Sequence, residues 1–210
     1  MSADQTQSWA YAESVRIEDD ITAAARHLAS EFGFSALSPA TGAFLEVLAA
    51  TAHAHNAVEV GTGTGVSGLY LLGASPDLSL TTIDIESEAQ HAAREAFSRA
   101  GVRAGRTRLI NGRSADILPR LASASYDLVL LDGDPLEVPG DAVEALRILR
   151  PGGLLVVARA LMGGRVADPA RREEDVVAVR NLGRDLLAST ELRTALVPIG
   201  EGLLLTTVRQ

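Results

Sequence analysis

The sequence predicts an α/β fold with a doubly wound, mainly parallel sheet of seven strands, and three patterns lead to this prediction. From Asn56 onwards, short apolar runs alternate with amphipathic segments, which is typical of a parallel sheet covered by helices on both faces. A glycine-rich turn follows the first of these runs. Towards the end, two β-rich runs are separated by Gly200-Glu-Gly202, which predicts an antiparallel hairpin at the edge of the sheet.

The residues before the first strand are expected to form helices. Apolar residues recur at helical spacing after Asp19-Asp20, whose acidic side chains suit a helix N-terminus, and Gly33 follows them as a C-cap. Ser38-Pro39 then supplies the N-cap and first residue of another helix. We therefore expect one domain over residues 1–210, made of a helical cap (1–55) and an α/β core (56–210).

The core elements are expected in the following order. The predicted parallel strands are Ala57–Val60, Leu78–Asp84, Thr107–Asn111, Leu128–Asp132 and Leu154–Ala158. The predicted helices between and after them are Ser67–Leu72, Ser87–Arg99, Ala115–Leu121, Gly140–Leu149 and Arg171–Leu187. The hairpin strands are expected at Thr194–Ile199 and Leu203–Val208.

Composition excludes several kinds of chemistry. The chain has 19 basic and 27 acidic residues in 210, a net charge of −8, and all of its basic residues are arginine. Without lysine or cysteine it cannot form a Schiff base, use a P-loop lysine or a thiolate nucleophile, or bind metal through cysteine. The acidic balance and scattered arginines argue against a nucleic-acid partner. Its apolar runs are shorter than the roughly 20 residues that cross a bilayer, so we expect a cytoplasmic protein that does not enter a membrane.

The glycine-rich turn is the first candidate site. Val58-Glu-Val-Gly61-Thr-Gly63-Thr-Gly65-Val-Ser-Gly68 lies between the first strand and the next helix, where a doubly wound sheet binds its cofactor. Read from Gly63, it matches the pattern G-x-G-x-x-G, although tight packing of strand against helix can also select glycines here.

Two acidic residues indicate what the turn binds. Asp84 ends the second strand, 84 − 63 = 21 residues after the middle glycine, at the spacing of a carboxylate that accepts both ribose hydroxyls. It could instead cap the following helix. Glu59 precedes the glycines in an apolar strand, where it would repel a pyrophosphate but favour the ammonium and sulfonium of S-adenosylmethionine. The final hairpin also favours S-adenosylmethionine over a nicotinamide dinucleotide.

At this point the chain resembles the class I S-adenosylmethionine-dependent O-methyltransferases of the catechol and caffeoyl-CoA type, within them an actinobacterial branch. The resemblance covers residues 35–209 and implies their Rossmann-like methyltransferase fold. It rests on six segments in order: Leu37-Ser-Pro-Ala-Thr-Gly42, Val58-Glu-Val-Gly-Thr-Gly-Thr-Gly65, Thr81-Thr-Ile-Asp-Ile85, Gly112-Arg-Ser-Ala-Asp-Ile-Leu-Pro119, Tyr126-Asp-Leu-Val-Leu-Leu-Asp-Gly-Asp134 and Arg150-Pro-Gly-Gly153.

The resemblance also implies a set of site residues. Asp84 would hold the ribose, Ile85 would flank the adenine, and Ser114 and Ala115 would line its edge. Asp132 would face the transferred methyl group, and with Asp134 it would contact the acceptor. The residues that would contact the methionine portion and the glycine turn are Leu37, Glu59, Gly61, Thr62, Gly63 and Ser67. A homodimer is implied as well.

The chain departs from the metal-dependent members of this group at three positions. Those members hold Mg²⁺ with the aspartate that corresponds to Asp132 and with an Asp-Asn pair, which aligns here with Ala158-Arg159. The lysine that helps to deprotonate the acceptor aligns with Pro135. We therefore expect no metal site, since Asp132 and Asp134 alone are a poor one.

Arg159 and Asp132 are the expected catalytic residues. Arg159 brings a positive charge to the position of the lost metal ligands, where it could pair with Asp132 and orient or stabilise an anionic acceptor. The same pair could instead be purely structural. With lysine and cysteine absent, Asp132 is the default base.

The predicted function is transfer of a methyl group from S-adenosylmethionine to a hydroxyl of a small acceptor, with aromatic acceptors among the candidates. Two alternatives stay open. A nicotinamide-dependent oxidoreductase would use the same glycine turn, and a protein that binds S-adenosylmethionine without turnover would explain the missing lysine and metal ligands.

Overall fold

The computed structural model describes residues 3–208; residues 1, 2, 209 and 210 of the expected domain lie outside this range. Its seven strands are β1 (Asn56–Val60), β2 (Ser79–Asp84), β3 (Thr107–Asn111), β4 (Tyr126–Leu131), β5 (Leu149–Val157), β6 (Leu192–Val197) and β7 (Leu203–Val208). They form one sheet in the order β3-β2-β1-β4-β5-β7-β6.

The first five strands run parallel and the last two form the expected hairpin. Val60 of β1 is in register with Ile83 of β2 and Leu131 of β4, so the three strands end at one edge of the sheet. β7 pairs antiparallel with both β5 and β6 and therefore lies between them. The predicted fold class, a doubly wound and mainly parallel seven-stranded sheet with a C-terminal hairpin, is confirmed.

Helices cover both faces of this sheet because its strands are apolar on both faces. The helices are α1 (Ala3–Val15), α2 (Asp20–Glu31), α3 (Pro39–Thr51), α4 (Val66–Gly73), α5 (Ser87–Arg99), α6 (Ser114–Ile117), α7 (Val138–Ile148) and α8 (Glu174–Ala188). One buried cluster joins Val58, Val129 and Leu155 of the sheet to α7 and α8. The other joins Leu80 and Leu128 of the sheet to α3, α4 and α5.

Two of the helices that precede β1, α2 and α3, begin at the predicted caps. The Asp19 side chain accepts hydrogen bonds from the backbone N–H groups of Ile21 and Thr22, and Ser38 accepts one from Thr41. A contact with the core then holds α2 over the sheet, since the Thr64 hydroxyl of the glycine turn donates to the Ala25 carbonyl over 2.7 Å. As a result, the loop between α2 and α3 lies beside the glycine turn.

Some boundaries differ from the expected ones. The helix predicted over Ala115–Leu121 is only the four-residue α6, followed by a 3₁₀ turn (Leu118–Arg120) because Pro119 lacks the N–H that would continue an α-helix. β5 starts at Leu149 rather than Leu154, so it includes Arg150-Pro-Gly-Gly153, whose composition indicates a turn. Within residues 3–208, no helix is long and apolar enough to cross a membrane.

Candidate active site

A cavity of about 460 Å³ opens where β1, β2 and β4 end. The glycine turn after β1 forms its floor, Asp84 and Asp132 stand at the ends of β2 and β4, and the cap loop (residues 33–37) forms the opposite wall. Ligands of doubly wound sheets bind beyond the carboxyl ends of the strands, so this cavity lies where the fold predicts a site.

Two glycines of the turn have different reasons to be glycine. A Cβ on Gly61 would lie 2.4 Å from the Asp132 carbonyl oxygen, so its absence lets the ends of β1 and β4 approach each other. Gly63 has a φ of +49°, and a Cβ there would meet no atom of the protein within 4 Å. Because Gly63 lines the cavity, this open space is available to a ligand.

Asp84 is held at the edge of the cavity by two backbone groups. Its Oδ2 accepts from the Gly63 N–H over 2.8 Å, and its Oδ1 accepts from the Glu86 N–H over 2.9 Å. A carboxylate oxygen can accept two hydrogen bonds, so each oxygen keeps capacity for a ligand hydroxyl. The ribose-binding role of Asp84 stays a prediction. The alternative, that Asp84 caps α5, is wrong, because the N-cap position is Glu86 and Asp84 accepts from the backbone before the helix.

Glu59 lies beneath the glycine turn and is completely buried. Its Oε1 accepts from the Ser67 hydroxyl and its Oε2 from the Thr82 hydroxyl, each over 2.6 Å. Burial raises the pKa of Glu59 to about 7, although both hydroxyl donors oppose this shift; the negative charges of Asp132 and Asp84 add to it. A cation in the cavity would favour the ionised form.

Asp132 and Arg159 form an ion pair at the end of β4. The Arg159 Nε donates to Asp132 Oδ1 over 2.6 Å, and Nη2 donates to Oδ2 over 3.2 Å and to the Ser35 carbonyl oxygen of the cap loop. Nη1 lies 3.7 Å from Glu201 Oε2, in the turn between β6 and β7. One guanidinium thus joins three segments that are distant in the sequence.

The backbone and the charges around this pair are unusual. Arg159 has a φ of +54°, in the left-handed region that non-glycine residues rarely occupy, and such strain is common at functional sites. Burial raises the pKa of Asp132, while the charge of Arg159 opposes that effect. Burial also disfavours the charge of Arg159, but Asp132 outweighs it and keeps the pKa of Arg159 above its ordinary range.

These residues do not fit a magnesium centre. Both oxygens of Asp132 are engaged by Arg159, and Ala158 and Pro135 offer no side-chain ligand. Across residues 3–208, no three His, Asp or Glu side chains are grouped as ligands of a metal ion. A guanidinium therefore stands beside Asp132, at the position where the sequence resemblance implies an ion in the metal-dependent members.

The structure brings most of the predicted site residues around the one cavity. Those that line it are Leu37, Gly61, Thr62, Gly63, Ser67, Asp84, Ile85, Ser114, Asp132, Asp134 and Arg159. Two do not: Glu59 is buried behind Ser67, and Ala115 is exposed on α6. Asp134 also has a local role, since its Oδ1 accepts from the Leu136 N–H before α7.

Sequence reasoning missed the other residues of the cap loop and both acids that approach the cavity from other loops. Phe34 and Ser35 line the cavity, as does Glu137, while Glu201 reaches it through Arg159. Gly33 marked the end of a helix but did not indicate that the following loop covers the site. No sequence signal was available for Glu201, because its approach depends on β7 lying beside β5.

Comparisons with known proteins agree with this geometry. The profile of a family described as O-methyltransferase matches residues 9–209. Relatives named as O-methyltransferases include one from Mycobacterium avium, 50% identical over 196 residues, which cover 93% of this chain and 88% of the relative. Another, from Mycobacterium tuberculosis, is 50% identical over 197 residues, with the same coverage of both chains.

Two solved structures extend the comparison to the whole chain. A Corynebacterium glutamicum protein is 34% identical with a TM-score of 0.90, covering 100% of this chain and 98% of its own. The O-methyltransferase TomG from Streptomyces achromogenes, solved in complex with S-adenosylmethionine, is 28% identical with a TM-score of 0.87 and full coverage of both chains. With the matched profile and the relatives at 50% identity, these likenesses show that the chain belongs to the O-methyltransferase family.

Proposed function

We propose that the protein transfers the methyl group of S-adenosylmethionine to a hydroxyl oxygen of a small acceptor, with Asp132 as the base. The observation that carries this proposal is the cavity at the carboxyl ends of β1, β2 and β4, where the Gly63 turn and Asp84 meet the Asp132–Arg159 pair. TomG, a relative over its full length, binds S-adenosylmethionine.

The cofactor half of the cavity suits that molecule. Asp84 has acceptor capacity for the ribose hydroxyls, and the space beside Gly63 would be filled by a Cβ. Leu37, Ile85 and Ser114 line the remainder, as expected for the methionine and adenine ends. Glu59 acts from below, where its negative charge favours a cation bound over the turn.

The chemistry needs little beyond alignment and removal of one proton. When bound, S-adenosylmethionine would supply a methyl carbon attached to a positively charged sulfur. The acceptor oxygen would attack this carbon in line with the C–S bond, which breaks as the O–C bond forms. Asp132 takes the proton of the acceptor hydroxyl, and burial, which raises its pKa, makes it a stronger base than an exposed aspartate. Arg159 orients this carboxylate with Nε and Nη2, and Nη1 has hydrogens to donate to the oxygen as it loses its proton.

The proposal is tested by thermal unfolding with S-adenosylmethionine, with its demethylated product and with a nicotinamide dinucleotide. Ligand at about 100 times its dissociation constant adds roughly 2.7 kcal/mol and raises Tm by roughly 5 to 10 °C for a chain of this size. We expect this rise with the first two ligands only. A rise with the dinucleotide alone would favour an oxidoreductase. Binding of the first two without turnover of any hydroxyl acceptor would favour a non-catalytic binding protein.

A second expected outcome concerns metal. Because Arg159 occupies both oxygens of Asp132, initial rates measured with EDTA and with added Mg²⁺ should agree within about twofold. A loss of activity in EDTA that Mg²⁺ restores would contradict the metal-free site. An unrelated O-methyltransferase that needs Mg²⁺ serves as the control for chelation.

The proposal also includes the domain organisation, the cellular location and the oligomeric state. We expect one domain over residues 1–210, a cytoplasmic location and a homodimer. Trp9, Tyr11 and Ile17 expose apolar surface at the cap, which is compatible with a contact between subunits. Light scattering of the purified protein tests the dimer, since a monomer mass at micromolar concentration would contradict it.

A further inference from the structure

The charges around the cavity bear on which acceptor can enter it. Five acidic side chains line it, namely Asp84, Glu86, Asp132, Asp134 and Glu137, and Arg159 is the one basic residue among the lining residues that the structure describes. A sixth acid, Glu201, lies half-exposed beside Arg159. A cavity lined mostly by one sign of charge raises the local concentration of ligands of the opposite sign.

The positive charge of Arg159 is already compensated. It pairs with Asp132 through two hydrogen bonds, and Glu201 lies 3.7 Å from its third nitrogen. Together with Asp134, these groups give the acceptor end of the cavity one positive and three negative charges. An anionic acceptor would therefore have to compete with carboxylates of the protein for the same guanidinium.

The loop after β5 carries three arginines, Arg165, Arg171 and Arg172, and none of them lines the cavity. Arg165 pairs with Asp175 of α8 over 3.2 Å, and Arg171 pairs with Glu173 over 3.2 Å. On the adenine side, Arg113 pairs with Glu137. Phosphate groups, by contrast, are bound in proteins by clustered or bidentate arginine and lysine donors.

On these grounds we propose that the methyl acceptor is uncharged or positively charged outside its reacting hydroxyl, such as an amino-substituted hydroxy compound. Carboxylates and thioesters of coenzyme A, which carries several phosphates, are excluded by charge. The inference rests on the proposed function, since it concerns the acceptor of the same methyl transfer. It assigns to Glu201 and Asp134 the selection of the acceptor by charge, a role distinct from that of Asp132.

Three probes of different charge and similar shape test the proposal on the unmodified protein. They are catechols that carry an aminoethyl, an ethyl or a carboxyethyl group opposite one hydroxyl, assayed at low salt with saturating S-adenosylmethionine. We expect kcat/KM for the aminoethyl probe to equal or exceed that for the ethyl probe, and to exceed that for the carboxyethyl probe at least about tenfold. The inference would be overturned by equal kcat/KM for the aminoethyl and carboxyethyl probes, by a higher kcat/KM for the carboxyethyl probe, or by no turnover of any of the three.

A charge reversal locates the selection. Glu201→Arg should move the ratio of aminoethyl to carboxyethyl turnover at least about tenfold towards the carboxyethyl probe. Glu191→Arg makes the same change at an exposed residue directly before β6 and should leave the ratio unchanged. If both variants change the ratio equally, the selection comes from net charge and not from the site.

The binding measurement separates the two possible failures. If S-adenosylmethionine produces no rise in Tm, the proposed function fails and the acceptor inference fails with it. If S-adenosylmethionine binds and the three probes react without regard to charge, only the acceptor inference fails.

Discussion

Strand β4 has an aspartate–arginine pair near each end, and the pKa values of the two aspartates are shifted in opposite directions. Asp127 pairs with Arg150 at the start of β5, and Asp132 pairs with Arg159 just after β5 ends. The side chains of both aspartates are 9% exposed, and the partner in each case is an arginine. Surface exposure and the type of partner are therefore the same at the two sites.

Two properties differ: the carboxyl of Asp132 lies deeper among protein atoms, and Asp127 has additional hydrogen-bond donors. Asp127 Oδ2 also accepts from the backbone N–H groups of His55 and Asn56, each over 2.7 Å. Burial tends to raise the pKa of Asp127, but Arg150 and these two donors outweigh it and hold that pKa below its ordinary value. Asp132 has Arg159 beside it in an open cavity, and burial raises its pKa. A carboxylate that stabilises the fold is saturated by donors, whereas one that must accept a proton keeps capacity.

The largest expected effect comes from replacing each aspartate in turn. Asp132→Asn should lower kcat by about 10²–10⁴, the usual contribution of a general base, while S-adenosylmethionine still raises Tm. Asp127→Asn should leave kcat near the parent value and lower the free energy of unfolding by about 1–3 kcal/mol, because buried donors lose a charged acceptor. Steady-state kinetics and urea unfolding of both variants measure this. Similar kcat values for the two variants would remove Asp132 from catalysis.

The arginines sharpen the same comparison through pH. Arg159→Gln removes the positive charge that opposes the raised pKa of Asp132, so that pKa should rise further. Activity requires ionised Asp132, and its increase with pH should therefore shift to higher pH, with at least about a tenfold loss of kcat at pH 7.

Arg150→Gln is the matched control at the other end of β4. Its kcat should follow the parent pH profile, because Asp127 takes no part in the reaction. Parallel profiles for the Arg159 variant and the parent would mean that Arg159 supports only the structure.

Glu59 extends the comparison to a third buried carboxyl group. Its two hydrogen bonds come from hydroxyl groups and not from an arginine. The pKa of Glu59 is about 7 in the folded protein, against an ordinary 4.5. Between pH 4.5 and pH 7, Glu59 is therefore protonated in the folded protein and ionised in the unfolded chain. The contribution of Glu59 to the free energy of unfolding should therefore fall by about 3 kcal/mol as pH rises from about 4.5 to 7. Above pH 7 this contribution should stay constant.

The measurement is the free energy of unfolding without cofactor across this pH range. In Glu59→Gln, the slope that Glu59 contributes should disappear, because the amide does not titrate. Glu88→Gln, on the exposed surface of α5, should retain the parent slope. Identical slopes for the parent and the Glu59 variant would show that Glu59 is ionised in the folded state.

The two halves of the site differ in how far the sequence predicts them. The glycine turn and Asp84 depend on residues within one strand–turn–helix unit and the strand that follows, so their spacing alone indicates their contact. The seven-stranded sheet was likewise predictable, because alternating apolar runs specify parallel strands.

The acceptor half is assembled from segments whose proximity only the folded chain provides. Arg159 and Asp132 were predicted as partners from aligned positions, yet the Ser35 carbonyl and Glu201 come from residues 124 and 42 positions away from Arg159 (159 − 35 and 201 − 159). The left-handed backbone of Arg159 also has no signal in the sequence, since glycine and asparagine are the residues usually found there.

The position of β7 between β5 and β6 constrains the order in which the protein can assemble during synthesis. β6 leaves the ribosome before β7, but it has no place in the sheet until β7 has paired with β5. Until then, the edge of β5 exposes unpaired backbone groups, the feature that promotes aggregation of nascent chains. Glu201 arrives with the same hairpin, so the environment of Arg159 is completed after the cofactor half can already have formed.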